Sequence, residues 1–280
     1  MSIVRCPNCK RELQKKGNTY ICHLRHSFDI SKEGYSNLIL ANQKKKLSSG
    51  DNKIMIRSRE AFLSQGYYDF IIDSIESLTL PNLNFEKDKI NVLDLGCGSG
   101  YYIRNVYREF ESFRRFGIDV SKNAVAHAAK KDPQGEYFVS SNFNPPFLNN
   151  TIDIVLNIFA PCELNEVSRL LRPNGLYVKV IPINDHMKEV AEMVYEKFSS
   201  HNSNIESEIE ANPNLHITAT MDINQIIELN SENLKQLISM TPYYYKFTDD
   251  QLSQLVDKSI TSSFRIIVAK SDFIKKKNPC

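Results

Sequence analysis

Four residues near the start of the chain have the types and spacing of a metal site. Cys6 and Cys9 form C-x2-C, and after twelve intervening residues Cys22 and His26 form C-x3-H. In each pair a tight turn aims two side chains at one point, and two such knuckles close a tetrahedron around zinc. Four soft or borderline ligands leave no open coordination position, so the Zn2+ expected here is structural rather than catalytic. His23 adjoins a ligand cysteine and competes as the fourth ligand, although C-x3-H gives the better reach. Between the pairs, residues 10–21 read as a short hairpin turning at Gly17-Asn18 and returning through Tyr20 and Ile21. A segment of about 30 residues buries too little apolar surface to fold alone, so zinc is expected to supply its folding energy. The module would then display Lys10, Arg11, Lys15, Lys16 and Arg25, and rigid positive charge suits contact with RNA.

A second constellation lies in VLDLGCGSGYY. Asp94 ends an apolar run, and Gly96, Gly98 and Gly100 follow at alternate positions. Glycine is required where backbone turns left-handed or approaches a ligand with no Cβ in the way. A dinucleotide loop would read G-x-G-x-x-G; here the third glycine comes one residue early and an acid stands two before the first. This D-x-G-x-G-x-G pattern resembles the first motif of class I methyltransferases that use S-adenosylmethionine. The resemblance implies a loop wrapped around the amino-acid portion of the cofactor, with Asp94 near the sulfonium. Asp119, which ends the next apolar run 23 residues after Gly96, suits the acid that accepts both ribose hydroxyls. The run Ser140-Ser141-Asn142 would lie near the adenine, and Cys97 reads as a small buried residue.

These residues need elements to hold them. Helical spacing of apolar residues covers 54–66 and 67–78, with Phe70, Ile71, Ile75 and Leu78 on one face. From 90 onward strands and helices alternate: strands at 90–96, 113–120, 136–140, 151–159 and 175–182, helices at 101–110, 122–131 and 163–171. That alternation means a doubly wound, mostly parallel α/β sheet. A further helix is expected at 185–198, two more at 231–240 and 249–258, and a last strand at 262–270. Thr248 and Gln251 form a capping box for the last helix. The fold class expected is therefore α/β, a Rossmann-like class I methyltransferase with a small amino-terminal zinc-binding module. Its organisation reads as a zinc module over 1–36, a basic linker and helices over 37–80, and the methyltransferase domain over 81–280.

Composition narrows the setting. With 41% hydrophobic residues in 280, the chain can bury a sizeable core. It has no apolar run long enough to span a membrane and no secretory leader pattern, which points to a soluble cytoplasmic protein with no membrane partner. Six cysteines, three of them within the first 22 residues, suit metal binding and buried thiols better than a disulfide framework. Residues 1–59 hold 13 Lys/Arg against 4 Asp/Glu, a balance of +9 on a chain whose net charge is only +2. A basic front end, including Lys44-Lys45-Lys46, on an acidic body points to an anionic partner, nucleic acid above all.

The zinc pattern ahead of this core, with HSFDISKEGYSNLI, AFLSQGYYDF, LDLGCGSGYY, GIDVSKNAVAHAAK, FAPCELNEVSRLLRPNG and MTPYYYK in order along the chain, resembles a specific family. It is the bacterial 23S ribosomal RNA guanine-N1 methyltransferases, one branch of which includes macrolide-resistance enzymes. The resemblance implies methyl transfer from S-adenosylmethionine to N1 of a guanine in a hairpin loop of domain II of 23S rRNA. It also implies a zinc module for rRNA recognition and a homodimer presenting a basic cleft. Residue by residue it carries over Cys6, Cys9, Cys22 and His26 as zinc ligands, and Tyr68, Gly98, Ser99 and His186 as cofactor contacts. In related nucleic-acid methyltransferases the loop after the fourth strand holds the target base, which makes Asn157, Phe159 and Pro161 candidates. Phe159 either stacks on the base or only packs the loop. No residue stands out in the sequence as a general base, and Cys162 is not expected to act as a nucleophile, because ring-nitrogen attack needs no covalent enzyme adduct. Two other readings are a methyltransferase for another RNA and a non-catalytic RNA-binding factor for ribosome assembly. The intact glycine loop and Asp119 argue against the latter.

Overall fold

The computed structural model describes residues 2–41, 52–83, 89–195, 200 and 203–272. The lysine run Lys44–Lys46 lies outside the described residues. At the amino terminus, β1 (Gln14–Lys16), β2 (Thr19–Ile21) and β3 (Ser27–Asp29) form a small antiparallel sheet. The β1–β2 turn falls at Gly17, as the sequence predicts, with φ at +59°. Next, β4 (Tyr35–Asn37) pairs in parallel with a strand of the main sheet.

Two helices follow. α1 (Lys53–Leu63) starts at Asn52, whose Oδ1 accepts the backbone N–H groups of Ile54 and Met55 at 2.9 and 3.0 Å, satisfying two of the helix's orphan donors. α2 (Asp69–Thr79) buries Ile71, Ile72 and Ile75 at helical spacing. The alternating core then runs β5 (Ile90–Leu95), α3 (Tyr101–Asn105), β6 (Phe113–Asp119), α4 (Lys122–Lys131), β7 (Glu136–Val139), β8 (Ile152–Ile158), α5 (Leu164–Leu170) and β9 (Leu171–Pro182). Every residue of β5 and β8 is buried, as befits central strands covered on both faces. The chain ends with α6 (Lys188–Ala191), α7 (Ile205–Glu210), β10 (Leu215–Leu229), α8 (Ser231–Ser239), α9 (Asp249–Ser253) and β11 (Lys258–Ser271). The predicted capping box is present at α9.

The main sheet has the order β10-β11-β9-β8-β5-β6-β7-β4, parallel from β4 to β9, with β11 and β10 antiparallel. The winding reverses between β5 and β8, so the carboxyl ends of those strands flank the crevice where such sheets bind ligands. No described helix is long and apolar enough to cross a membrane.

Three expected helices change, and the one expected over 249–258 stops at Ser253, with β11 already under way at Lys258. The helix expected over 101–110 stops at Asn105, because Tyr107 turns to φ +59°. Its buried hydroxyl pairs with the Thr79 hydroxyl at 2.6 Å, and its N–H donates to Glu76 at 2.6 Å, so tertiary burial overrides local helix pattern. The helix expected over 185–198 is realised among the described residues only as α6, since Asn184 and Met187 both take positive φ.

The ribbon is also less independent than its size implies. Val4, Leu13 and Tyr20 share one buried cluster with Phe138 and Phe147 of the body. The Tyr20 hydroxyl donates to Glu136 at 2.6 Å, its ring meets Phe138 edge-on at 5.4 Å, and Arg5 donates to Asn144 at 3.0 Å. Folding energy expected from zinc alone is therefore shared with burial against the sheet.

Candidate active site and zinc centre

The ligand atoms of Cys6, Cys9, Cys22 and His26 all lie within 4.8 Å of one another. Cys6 Sγ is 3.6 Å from His26 Nδ1, Cys22 Sγ is 3.4 Å from the same nitrogen, and Cys9 Sγ is 3.6 Å from Cys22 Sγ. Zinc held at about 2.3 Å from sulfur and about 2.0 Å from nitrogen needs tetrahedron edges of about 3.5–3.8 Å. The four residues fit the ion. His23 is exposed and outside the cluster, so the competition for the fourth position falls to His26.

At the carboxyl end of β5 the chain turns through Gly96, Gly98 and Gly100, with φ of +84°, +52° and +76°. Two of these glycines answer to protein rather than to open ligand space. A Cβ on Gly96 would stand 2.5 Å from Ala160 Cβ, and one on Gly100 would stand 2.8 Å from Ala128 Cβ. The loop is therefore wedged between the β8 loop and α4. Asp119 at the end of β6 braces it: one carboxylate oxygen accepts the Gly98 N–H at 3.1 Å and the other the Ser121 N–H at 2.8 Å.

Asp94 is 2% exposed, and burial, with the Asp119 charge nearby, raises its carboxyl to about pKa 8. One of its oxygens has no partner, and neither do the hydroxyls of Ser99 and Tyr102 or the amide oxygen of Asn142. Buried polar atoms are nearly always satisfied. Four orphans on or beside one glycine loop are the signature of a polar ligand, and they fit the cofactor expected from the motif. Cys97 is buried, as predicted, its thiol pushed up by desolvation and the charges of Asp94 and Asp119.

Beside the loop opens a cavity of about 640 Å³, walled by Tyr68, Tyr102, Phe159, Pro161, Lys179 and His186 among others. Phe264 of β11 is the hub of its aromatic wall: His186, Phe159 and Tyr68 lie 4.4, 5.1 and 5.2 Å from its ring centre. Phe159 is 42% exposed and sits at φ +56°, a strained value for a bulky residue. The loop that carries it is held on both sides. Asn142 donates to Pro161 O at 3.2 Å, and Lys179 donates to Ala160 O at 2.5 Å. Asn157 is fully buried, donating to Leu95 O at 2.8 Å and accepting from Lys179 at 2.5 Å. Among the three candidates for the target base it is thus a brace, whereas Phe159 and Pro161 face outward. Cys162 contacts the Tyr177 hydroxyl at 3.2 Å, and burial raises its thiol, which leaves it a poor nucleophile.

α1 lies across the mouth. Burial would raise Glu60, but a hydrogen bond from His127 and the paired charge of Arg104, bonded to both carboxylate oxygens at 3.1 Å, outweigh it and hold the group at about pKa 2. This hub ties α1 to α3 and α4 and sets the position of the adjoining Arg59. The Arg59 guanidinium donates to Met240 O at 3.0 Å, and its other terminal nitrogen lies 3.1 Å from where a Cβ of Gly98 would stand. The expected MTPYYYK segment supplies Met240, Thr241, Pro242 and Tyr243 to the same cavity.

Sequence reasoning missed Arg59, Tyr102, Lys179 and Phe264. Lys179 carried a signal, a lone charge inside the apolar strand LYVKVIP. Phe264 carried none, because an aromatic in a strand is ordinarily core.

Comparison with known proteins finds a relative for each part of the chain. The zinc-ribbon family described as "RlmA, N-terminal" matches residues 4–47, past β4, and the methyltransferase-domain family matches residues 92–175. The chain is 26% identical to the 23S rRNA (guanine(748)-N(1))-methyltransferase of Streptomyces fradiae, covering 90% of this chain and 89% of that protein. It is a relative of the 23S rRNA guanine-N1 methyltransferases. A putative 23S rRNA (guanine-N(1)-)-methyltransferase, YxjB of Bacillus subtilis, is 28% identical over 91% of each chain. Another from Micromonospora griseorubida is 29% identical over 68% of each. This relative thus joins an RlmA-type zinc ribbon to a class I, S-adenosylmethionine-dependent methyltransferase core.

Proposed function

We propose that this chain methylates N1 of a guanine in 23S ribosomal RNA, in a hairpin loop of domain II. The observation that carries the reading is the aromatic cavity set directly against a glycine loop ringed by unsatisfied buried polar atoms. Similarity to guanine-N1 methyltransferases along nine tenths of the chain supports the choice of substrate.

When bound, S-adenosylmethionine supplies an electrophilic methyl group on a sulfonium; everything else falls to the protein. Asp94, Ser99, Tyr68 and the Gly96–Gly100 backbone would hold its amino-acid end, with Arg59 beside Gly98 facing the carboxylate. Asp119 would take the ribose, Asn142 would lie near the adenine, and His186 would close the far wall. Guanine N1 lies on the Watson–Crick edge, so the base must be unpaired or extruded before it can react. Phe159, exposed on one side and backed by Tyr102 and Phe264 on the other, is placed to stack on that base, with Pro161 at its edge. The braced loop fixes the angle of approach, since holding reactants in line is most of what methyl transfer asks of an enzyme.

In this reading residues 1–36 read the RNA, 37–80 lead into the core and cover the cofactor, and 81–280 carry out the transfer. A homodimer with a basic cleft is part of the same reading and rests on the resemblance, and a ribosomal substrate implies a cytoplasmic location. The test is primer extension on unmodified 23S rRNA after incubation with protein and S-adenosylmethionine. A methyl on N1 blocks pairing, so one new stop in the domain II hairpin is expected. Cofactor binding by calorimetry without any stop would refute the substrate assignment.

A further inference from the structure

Lys179 is 7% exposed, in the central strand β9, and its hydrogen bonds go to two neutral oxygens, Asn157 Oδ1 and Ala160 O. Among the described residues no carboxylate lies within ion-pair distance of it. A buried cation with no ion pair in contact is costly to fold, and such groups concentrate at functional sites. An ammonium has three donors; two are used here, and the side chain forms part of the cavity wall beside Phe159, Ala160 and Pro161. The groups facing it are Cys162 on the β8 loop, Tyr177 on its own strand through Cys162, and Glu208 on α7. Burial lowers its pKa, and Cys162 and Glu208 act against that shift.

Resting on the guanine-N1 reading above, we propose that the Lys179 ammonium meets O6 of the target guanine and eases loss of the adjacent N1 proton. O6 is the atom onto which charge moves when N1–H ionises. The N1–H bond breaks and its proton passes to water at the open mouth of the cavity. The electron pair left on N1, shared with O6, forms the N–CH3 bond as the C–S bond breaks and its pair returns to sulfur. Lys179 keeps its proton throughout. It acts as a fixed charge where negative charge develops, the arrangement most effective in a water-poor site. Asp94, the buried carboxyl at the end of β5, is absent from the cavity wall and stays with the cofactor.

Single-turnover formation of N1-methylguanosine, followed from pH 6.5 to 9.5, tests this with wild type, Lys179→Met and Lys179→Arg. Lys179→Met should be about 10²-fold slower at neutral pH, as for loss of one oxyanion donor. The gap should narrow as pH rises, because guanine then ionises unaided and Lys179 itself loses its proton. Lys179→Arg, which keeps the charge, should stay within about tenfold of wild type. A second readout is binding of the target hairpin with guanine or 2-aminopurine, which lacks O6, at the methylated position. Wild type should prefer guanine, and Lys179→Met should not distinguish the two. Calorimetry with S-adenosylmethionine checks that each variant is folded; if Lys179→Met fails it, Lys179→Gln takes its place. A gap constant across pH would make Lys179 a mere brace of the loop and overturn the proposal, as would full activity of Lys179→Met or undiminished preference for guanine. If wild type forms no N1-methylguanosine, the functional reading falls and this proposal with it.

Discussion

The zinc centre and the methyl-transfer cavity are built on opposite plans. All four zinc ligands come from 21 consecutive residues, 6–26, and two short turns bring them together. The cavity draws on residues from Met55 to Phe264, and no two of its aromatic walls are neighbours in the chain. A centre made by local turns is specified by spacing. A centre made by packing exists only once the sheet, α1 and the carboxyl-terminal strands have met. Yet the two are coupled, because the ribbon's Tyr20 and β4 lean on the β7 edge of the same sheet whose other strands carry the loop and cavity.

The largest expected effect would come from the ribbon. Cys9→Ser, at the least buried cysteine of the cluster, should remove zinc and lower rRNA methylation at least 10²-fold while S-adenosylmethionine affinity changes only a few-fold. Zinc content, primer extension and calorimetry on one preparation measure all three. Equal loss of cofactor binding would mean that the two plans cannot be separated. Next, Gly96→Ala puts a Cβ 2.5 Å from Ala160 at a backbone angle of +84°. A strain of about 1–3 kcal/mol should shift the loop and weaken cofactor binding about tenfold to a hundredfold, leaving zinc content unchanged.

Asp94 gives a smaller, pH-dependent effect. Its carboxyl is raised to about pKa 8, by burial first and then by Asp119, so most of it is protonated at pH 7. A cationic ligand favours the ionised form, so binding S-adenosylmethionine should release a proton below pH 8. Affinity should rise with pH up to about 8 and level off above it. Calorimetry in buffers of different ionisation enthalpy counts the proton, and Asp94→Asn should abolish the release. The smallest effect is expected at the junction. Tyr20→Phe removes the hydrogen bond to Glu136 and should cost about 1–2 kcal/mol in unfolding free energy, with cofactor affinity intact. If it lowers rRNA methylation several-fold as well, the ribbon's placement on the sheet matters beyond its zinc.

How legible was each region? The zinc ligands, the hairpin turn at Gly17, the loop at Gly96–Gly100, the acid at Asp119 and the alternation of strands and helices could all be read in order, because each rests on spacing within about 20 residues. The glycines were legible in position but only partly in cause: the structure assigns Gly96 and Gly100 to contacts with Ala160 and Ala128, partners far along the chain. Asn157 looked like a base contact and is a buried brace. Tyr107 and Met187 broke expected helices, since local periodicity does not report a left-handed residue held in place by tertiary packing.

By itself, then, the sequence determined the chemistry available: four zinc ligands, a glycine loop with its acids, and a parallel sheet to carry them, since residue type and near-neighbour spacing act through short-range sterics and coordination. Only the tertiary structure decided that β4 would extend the main sheet, that Phe264 would gather Tyr68, Phe159 and His186 around one cavity, and that Lys179 would sit buried at its wall. Those outcomes depend on which distant surfaces exclude water together. Burial is a property of the assembled fold, and no local spacing encodes it.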